Sequence, residues 1–182
     1  MVQDQPPADT PQDAADSLLV FADSLESMAG EAAPKKAAEA EYHLVTFVLE
    51  KEEFGVPILK VVEIIRVSEI RRVPQAPPHI RGVTNLRGRI IPVVEIRTRI
   101  GLTPASVGHL SRILLVEARG RVFGLLVDAV TEVLKVPAST VTPPPPEVLS
   151  TASAEYLIGV AQLSKRLIVL LDLDRVVAAI TK

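Results

Sequence analysis

Residues 54–65 read FGVPILKVVEII, and residues 123–134 repeat the pattern as FGLLVDAVTEVL. Four of the aligned positions are identical, and most of the others exchange one aliphatic residue for another. A repeat with so long a period and only two copies marks a duplicated fold unit, since two copies are too few to build a stacked solenoid. The chain is therefore predicted to contain two related modules built on a common scaffold.

A second pair of stretches extends the repeat and shows where the copies differ. Residues 82–96 read GVTNLRGRIIPVVEI, and residues 159–173 read GVAQLSKRLIVLLDL. The Arg87-Gly88 pair of the first copy is replaced by Ser164-Lys165 in the second. Positions that both copies share are those that a common scaffold needs. The Arg-Gly pair is therefore where the first copy is expected to have an additional function.

The composition predicts a folded chain with an aliphatic, strand-rich core. Hydrophobic residues make up 48% of the chain and aromatic residues only 3%, and Val, Ile and Leu favour strands over helices. The absence of cysteine excludes disulfides, thiolate metal sites and cysteine nucleophiles. The sequence lacks an apolar signal core, and its apolar runs fall short of the ~20 residues of a membrane span. We therefore expect a cytoplasmic protein without direct membrane insertion.

The formal net charge of −2 hides an uneven distribution. Residues 1–41 contain nine Asp or Glu and two Lys, so the excess of basic residues lies in residues 42–182. Between Arg66 and Arg99, eight Arg accompany only two Glu. This basic stretch indicates either a solvated set of strand-edge side chains or an acidic partner. Single-strand nucleic-acid binding is an alternative function, although the stretch lacks the stacking aromatics that such binders use.

Residues 1–41 are predicted to form an acidic, mostly disordered N-terminal extension, whereas residues 42–182 hold the two modules. Within the extension, apolar residues recur at helical spacing, at Leu18, Phe21, Leu25 and Met28. This spacing predicts an amphipathic helix near residues 14–29. The helix either docks on a partner, folds back onto its own domain, or is only nascent in solution, since isolated helices of this length are marginal.

Strands and tight turns are predicted for most of the remaining chain. Residues 45–56 and 113–127 each read as a β-hairpin. Residues 82–96 read as strand, turn and strand, with Gly88 free to take the positive φ that such a turn often needs. The apolar spacing over residues 58–65 predicts a short helix or a helical turn before the next strand.

A search of the sequence for catalytic residues, metal ligands and cofactor motifs finds none. The three His are far apart, and Asp172-x-Asp174 is better explained as the start of a short closing helix than as a metal pair. No nucleophile elbow, phosphate loop or dinucleotide fingerprint is present. Asp128 is the most isolated apolar-flanked carboxylate, and a turn or capping role is favoured for it. The scaffold therefore favours a protein-protein adaptor.

Several linked motifs, in order, resemble the CheW family of chemotaxis coupling proteins. The resemblance runs from about Tyr42 to Ile180, and its most specific part is the Asn-Leu-Arg-Gly turn at residues 85–88. The other parts are FGVPILKVVEI from residue 54, the prolines within residues 74–78, IRGVTNLRG from residue 80, IPVVEIR from residue 91, and GLLVDAV from residue 124.

The resemblance implies an all-β fold of two small five-stranded, SH3-like barrels with partly exchanged strands, short helices and a C-terminal helix. It also implies a non-enzymatic adaptor that couples the cytoplasmic tip of a chemoreceptor to the histidine kinase CheA, through the CheW-like regulatory domain of the kinase. Such a protein is expected to be cytoplasmic, monomeric in isolation and assembled into receptor arrays. No cofactor and no nucleic acid are expected.

The resemblance also supplies the candidate protein-binding residues, which lie in the first copy of the repeat. They are Val61, Glu63, Asn85, Leu86, Arg87 and Gly88. An arginine on a glycine-bearing turn offers five donors in a fixed fork, which suits the carboxylates and backbone carbonyls of a receptor helix tip. Apolar strand edges of the two modules are expected to form the kinase contact.

Overall fold

The computed structural model describes residues 40–144 and 154–178, and strands account for most of them. The strands are β1 (Glu41–Leu49), β2 (Glu52–Pro57), β3 (Val61–Arg66), β4 (Ile80–Leu86), β5 (Arg89–Glu95), β6 (Arg112–Ala118), β7 (Arg121–Val127), β8 (Ala129–Pro137), β9 (Val141–Thr142), β10 (Leu157–Leu163) and β11 (Arg166–Leu171). The helices are α1 (Ile96–Arg99), α2 (Leu173–Ala178) and three short 3-10 turns, Ile58–Lys60, Ala138–Thr140 and Ala154–Tyr156.

The strands form two sheets, and each sheet combines strands of both repeat copies. One sheet has the order β3-β6-β7-β5-β4, and the other has the order β8-β1-β2-β11-β10-β9. The first hairpin of each copy, β1-β2 or β6-β7, thus lies in the sheet formed by the rest of the other copy. The implied exchange of strands is confirmed. The second sheet gains a sixth, two-residue strand, β9, beyond the five strands expected for each module.

The exchanged hairpins join their host sheets in the same way in both modules. Strand β2 runs parallel to β11 with Gly55 opposite Leu170, and β7 runs parallel to β5 with Gly124 opposite Val93. The other strand of each hairpin pairs antiparallel with β8 or β3. The two sheets therefore repeat one design, which explains why the two glycines occupy matching places in the repeat.

A second pair of matching glycines permits a short segment to pass close to the strand that contains each glycine. A Cβ at Gly82 would overlap the carbonyl oxygen of Arg71, and a Cβ at Gly159 would lie 2.8 Å from that of Thr142. Both contacts would be shorter than any tolerated contact, so a larger residue would push the crossing segment away. Each glycine also lies where the pairing register with the next strand shifts.

The largest buried cluster contains residues of both sheets and both copies. The repeated phenylalanines, Phe54 and Phe123, are both buried in it, and Phe54 stacks on Phe47 with ring centroids 6.1 Å apart. Around them the cluster is almost entirely aliphatic, as the composition predicts. Because each buried large side chain contributes about 1.5–3 kcal/mol, this shared cluster holds the two sheets together.

The remaining sequence predictions have mixed outcomes. The 58–65 stretch forms a helical turn only over Ile58–Lys60 and then continues as β3, because its β-branched residues favour a strand. The closing helix begins after Asp172, whose carboxylate accepts a hydrogen bond from the backbone N–H of Arg175 at 3.1 Å. The amphipathic helix expected near residues 14–29 lies outside the described residues.

Candidate functional site

The candidate site is built on the two-residue turn that joins β4 and β5. Both turn residues have left-handed backbone angles, with φ of 52° at Arg87 and 84° at Gly88. The side-chain oxygen of Asn85 accepts a hydrogen bond from the N–H of Gly88 at 2.9 Å, which fixes the turn from within. Such turns normally favour Asn, Asp or Gly at both places. An arginine in a left-handed conformation costs on the order of 1 kcal/mol. The matching residue of the second copy, Ser164, has a similar φ of 45°, so this backbone geometry belongs to the shared turn and the copies differ in the side chain that it presents.

The turn holds the Arg87 side chain in solvent, beside one carboxylate of strand β3. The guanidinium Nη2 donates to Oε1 of Glu63 at 3.0 Å, and 77% of the Arg87 side chain remains exposed. An exposed ion pair of this kind contributes only ~0.2–1 kcal/mol to folding. Its main effect is to orient the guanidinium while the other donors stay open to a partner.

The six predicted site residues therefore have different structural roles. Glu63 and Arg87 form an ion pair, and Asn85 and Gly88 shape the turn. Leu86 is partly buried against a small apolar cluster and anchors the turn to the sheet. Val61 packs against the main core, so its side chain supports the site from inside. The structure thus brings five of the six to one turn and its ion pair and places Val61 in a supporting role.

Exposed apolar side chains adjoin this turn, and the sequence reasoning did not single them out. Along β3, Val62 and Ile64 face solvent between the more buried Val61, Glu63 and Ile65. Residues 61–65 read VVEII, which places apolar side chains on both faces of a strand. This pattern could have identified the exposed residues from the sequence. A strand needs only one apolar face to pack against the core. The second, exposed apolar face of β3 therefore indicates a surface that contacts a partner.

These side chains border an open groove on the first module. Val62 of β3 and Ile90 of β5 are 56% and 65% exposed, and both line the groove, which has a volume of about 570 Å³. Pro92 and Val122 extend its apolar part, and Glu117 and Arg121 are polar lining residues. The site therefore combines an oriented cation with an adjacent apolar surface, an arrangement suited to binding another protein.

The corresponding place in the second module is closed by ion pairs. Glu132, which matches Glu63, accepts a hydrogen bond from Arg166 at 2.5 Å, and Glu53 accepts two more from the same guanidinium. These hydrogen bonds raise the pKa of Arg166 above its usual range. The Ser164-Lys165 turn takes no part in them. The open Arg87 arrangement is therefore particular to the first copy.

Asp128 has the structural role that the sequence favours for it. Its carboxylate binds the guanidinium of Arg97 through both oxygens and accepts the N–H of Glu50 at 2.7 Å. Arg97 is only 6% exposed and also donates to Glu50 and to the carbonyl of Thr103. The cluster ties the β1-β2 turn to α1, and it leaves Asp128 no free oxygen directed at a substrate.

Several arginines of the basic stretch are already engaged within the domain. Arg97 is buried, and Arg99 lies over the ring of Tyr156 at 4.6 Å and donates to the carbonyl of Val176. Arg81 donates to Glu95, whose pKa is raised by burial and lowered in part by Arg81 and Arg97. The stretch is thus not one continuous charged surface. No three His, Asp or Glu side chains in the described ranges converge on a point that could hold a metal ion.

Comparison with known proteins finds relatives that match most of the chain. The family model described as CheW-like domain matches residues 43–181. Chemotaxis protein CheW of Klebsiella aerogenes is 34% identical over 154 residues, which cover 84% of this chain and 92% of that protein. Protein FrzA of Myxococcus xanthus is 30% identical over 137 residues, covering 75% of this chain and 84% of FrzA.

A solved structure is also similar over most of the described domain. The scaffolding protein TtCheW from Thermoanaerobacter tengcongensis matches with a TM-score of 0.69 and 34% sequence identity. The match covers 75% of this chain and 92% of that structure. In the part of the chain that the structure describes, no helix is both long and apolar enough to cross a membrane.

Proposed function

The chain belongs to the CheW-like family, whose members are scaffolding adaptors of chemotaxis and not enzymes, and we propose that it couples the cytoplasmic tips of chemoreceptors to the histidine kinase CheA. The observation that supports this proposal most directly is the exposed Arg87, oriented by Glu63 beside an apolar groove. In the proposed assembly the protein holds receptor and kinase in fixed geometry and transmits the receptor state by contact. We place it in the cytoplasm, within receptor arrays.

The receptor contact is assigned to the Asn-Leu-Arg-Gly turn. A receptor tip is a helical hairpin, and the backbone carbonyls and carboxylates at such a tip accept hydrogen bonds from a guanidinium fork. Glu63 engages one nitrogen of Arg87. The remaining donors are directed to the receptor, and the exposed Val62 of β3 packs beside them. Arg87 is in this way the anchor of a small, mixed interface.

The kinase contact is assigned to exposed apolar residues on the strands of the modules. In the first module these are Ile64 and Ile90, and in the second module the equivalent positions are Val133 and Leu167, each 56% exposed. Apolar residues at matching positions suit a partner that carries the same fold, such as the CheW-like regulatory domain of CheA. Contacts of this type bury apolar surface and exclude water, which is the main source of affinity in protein interfaces.

Calorimetric titration of the full chain tests both contacts. The chain is titrated with the CheA regulatory domain and, separately, with a receptor-tip fragment, and the series is repeated with Arg87→Ala. If Arg87 lies at an interface centre, its truncation costs about 2 kcal/mol, or roughly a thirtyfold increase in Kd for the receptor fragment. Lys165→Ala, at the equivalent turn of the second module, is the matched control and should leave the receptor Kd unchanged.

The titrations separate three results. Weaker receptor binding by Arg87→Ala alone supports the assigned turn. Equal loss in both variants means that the receptor contact lies elsewhere, although the adaptor function stands. If neither partner binds at tens of micromolar, the proposed function is wrong. Thermal unfolding accompanies each titration, and because the Arg87 ion pair is exposed, a change of less than ~1 kcal/mol in stability is expected.

A further inference from the structure

Two arginines face each other at the far end of β3, away from the Arg87 turn. Arg66 of β3 pairs directly with Arg112 of β6 in the antiparallel register. Like charges at directly opposed strand positions repel and destabilise the pairing. Among the described residues, no carboxylate lies within salt-bridge distance of either guanidinium. The arrangement therefore creates a local excess of positive charge that the domain itself does not balance.

The second module shows that the fold does not require this excess. The copies are offset by 69 residues, so Arg66 corresponds to Lys135 and Arg112 corresponds to His43. Lys135 and His43 also face each other across paired strands. There, Glu41 lies 3.5 Å from the His43 ring. In the first module, Leu110 occupies the position that corresponds to Glu41. One module thus provides a carboxylate next to its basic pair, and the other provides an exposed leucine.

The loop beside the arginine pair forms a preorganised groove. Arg112 donates to the carbonyls of His109 and Ser111 at 3.0 and 2.8 Å, and Ser111 accepts the N–H of Gly108 at 2.9 Å. The groove has a volume of about 420 Å³. Val107 and Leu110 line it and are 43% and 55% exposed. Fixed cations and exposed apolar side chains therefore lie on one surface.

We propose that this groove, at Arg66, Arg112, Val107 and Leu110, binds an acidic segment of a partner protein that also carries apolar side chains. Carboxylates of that segment would balance the paired guanidinium groups, and an aliphatic side chain would cover the exposed valine and leucine. A protein segment fits better than a nucleic acid because no Phe, Tyr or Trp lines the groove on which a base could stack. The surface is separate from the Arg87 turn and does not depend on the function proposed above.

Fluorescence anisotropy with the full chain tests the groove. The probe is a labelled synthetic peptide of Glu, Leu and Ser, compared with a version in which each Glu is Gln and one in which each Leu is Ser. We expect the Glu-Leu peptide to bind and both altered peptides to bind at least about fivefold more weakly. Arg66→Gln should weaken binding of the Glu-Leu peptide about tenfold, the usual effect of losing a charge-assisted hydrogen bond.

Matched variants make the result specific. Lys135→Gln alters the equivalent position of the second module and should change the Kd less than about twofold. Leu110→Ser should weaken the Glu-Leu peptide but not the peptide that lacks Leu. Equal losses in Arg66→Gln and Lys135→Gln would overturn the proposal, because the binding would then reflect net charge alone. Tighter binding of a single-stranded oligonucleotide with the same charge would also overturn it. Circular dichroism confirms that each variant is folded.

Discussion

Replacing Asp128 by asparagine should leave a buried cation without its main partner. Both carboxylate oxygens of Asp128 bind the guanidinium of Arg97, and one of them also accepts the N–H of Glu50. The Arg97 side chain is 8% exposed, so water cannot replace the lost carboxylate. Asparagine and aspartate are nearly the same size, which means that the substitution removes charge without creating a cavity.

The magnitude follows from the contacts that remain. Breaking a buried ion pair from one side typically costs about 3–5 kcal/mol. Here the Glu50 carboxylate stays 3.3 Å from Arg97, and Asp128 itself is partly exposed, with 33% of its side chain accessible. Both features reduce the cost, and we expect a loss of about 2–3 kcal/mol in the free energy of unfolding. For a chain of this size the loss corresponds to a Tm lower by roughly 5–10 °C.

Urea unfolding followed by circular dichroism measures the effect, since the chain has no tryptophan to report by fluorescence. Glu132→Gln, which removes an exposed partner of Arg166, is the control and should cost less than ~1 kcal/mol. The double variant Arg97→Met/Asp128→Asn should be more stable than Asp128→Asn, because it removes the uncompensated charge. A loss below ~1 kcal/mol for Asp128→Asn, or a double variant less stable than both single variants, would refute the reasoning.

Three further predictions concern side chains in the first module and the shared core. Gly124→Ala should cost about 2 kcal/mol in urea unfolding, because its Cβ would lie 2.7 Å from the buried Cγ2 of Ile113. Gly88→Ala meets no atom but must keep a φ of 84°, so a loss near ~1 kcal/mol, with unchanged cooperativity, is expected. Burial raises the pKa of Glu95 from 4.5, so the folded state binds the proton more tightly and the natural protein loses stability as the pH rises above that value. Glu95→Gln should therefore gain stability relative to the natural protein as the pH rises above 4.5, and a difference in urea midpoints that stays constant with pH would contradict this.

Much of the fold was accessible from the sequence because the chain presents its pattern twice. Alternating apolar residues predict the hairpins at 45–56 and 113–127, and both are confirmed as β1-β2 and β6-β7. The alternation of apolar residues along a hairpin does not predict which sheet that hairpin joins. That choice depends on the parallel pairs β2-β11 and β5-β7, which join residues far apart in the chain. The expected exchange came from the family resemblance and not from periodicity.

The site was predicted less completely, for a physical reason that Val61 illustrates. The residue types of β3 predict that the strand contributes to the site. The direction in which each side chain points, however, depends on the bulge in the pairing of β3 with β6. Val61 consequently faces the core, and its neighbour Val62 faces solvent. The contact between Glu63 and Arg87 joins residues separated by a loop of irregular structure. No spacing rule predicts that contact, although both residues were chosen as candidates.

The duplicated chain provides an internal comparison for the role of Arg87. In the second module, Arg166 binds two carboxylates, Glu53 and Glu132, in a closed ion-pair cluster. In the first module, the residue that corresponds to Arg166 is Arg89, and Val122 occupies the place of Glu53. Arg89 binds no carboxylate within the described ranges, so Glu63 is left to the turn arginine, Arg87. Because the same scaffold supports both arrangements, stability does not require the open one. The open arrangement is better explained by a partner that completes it.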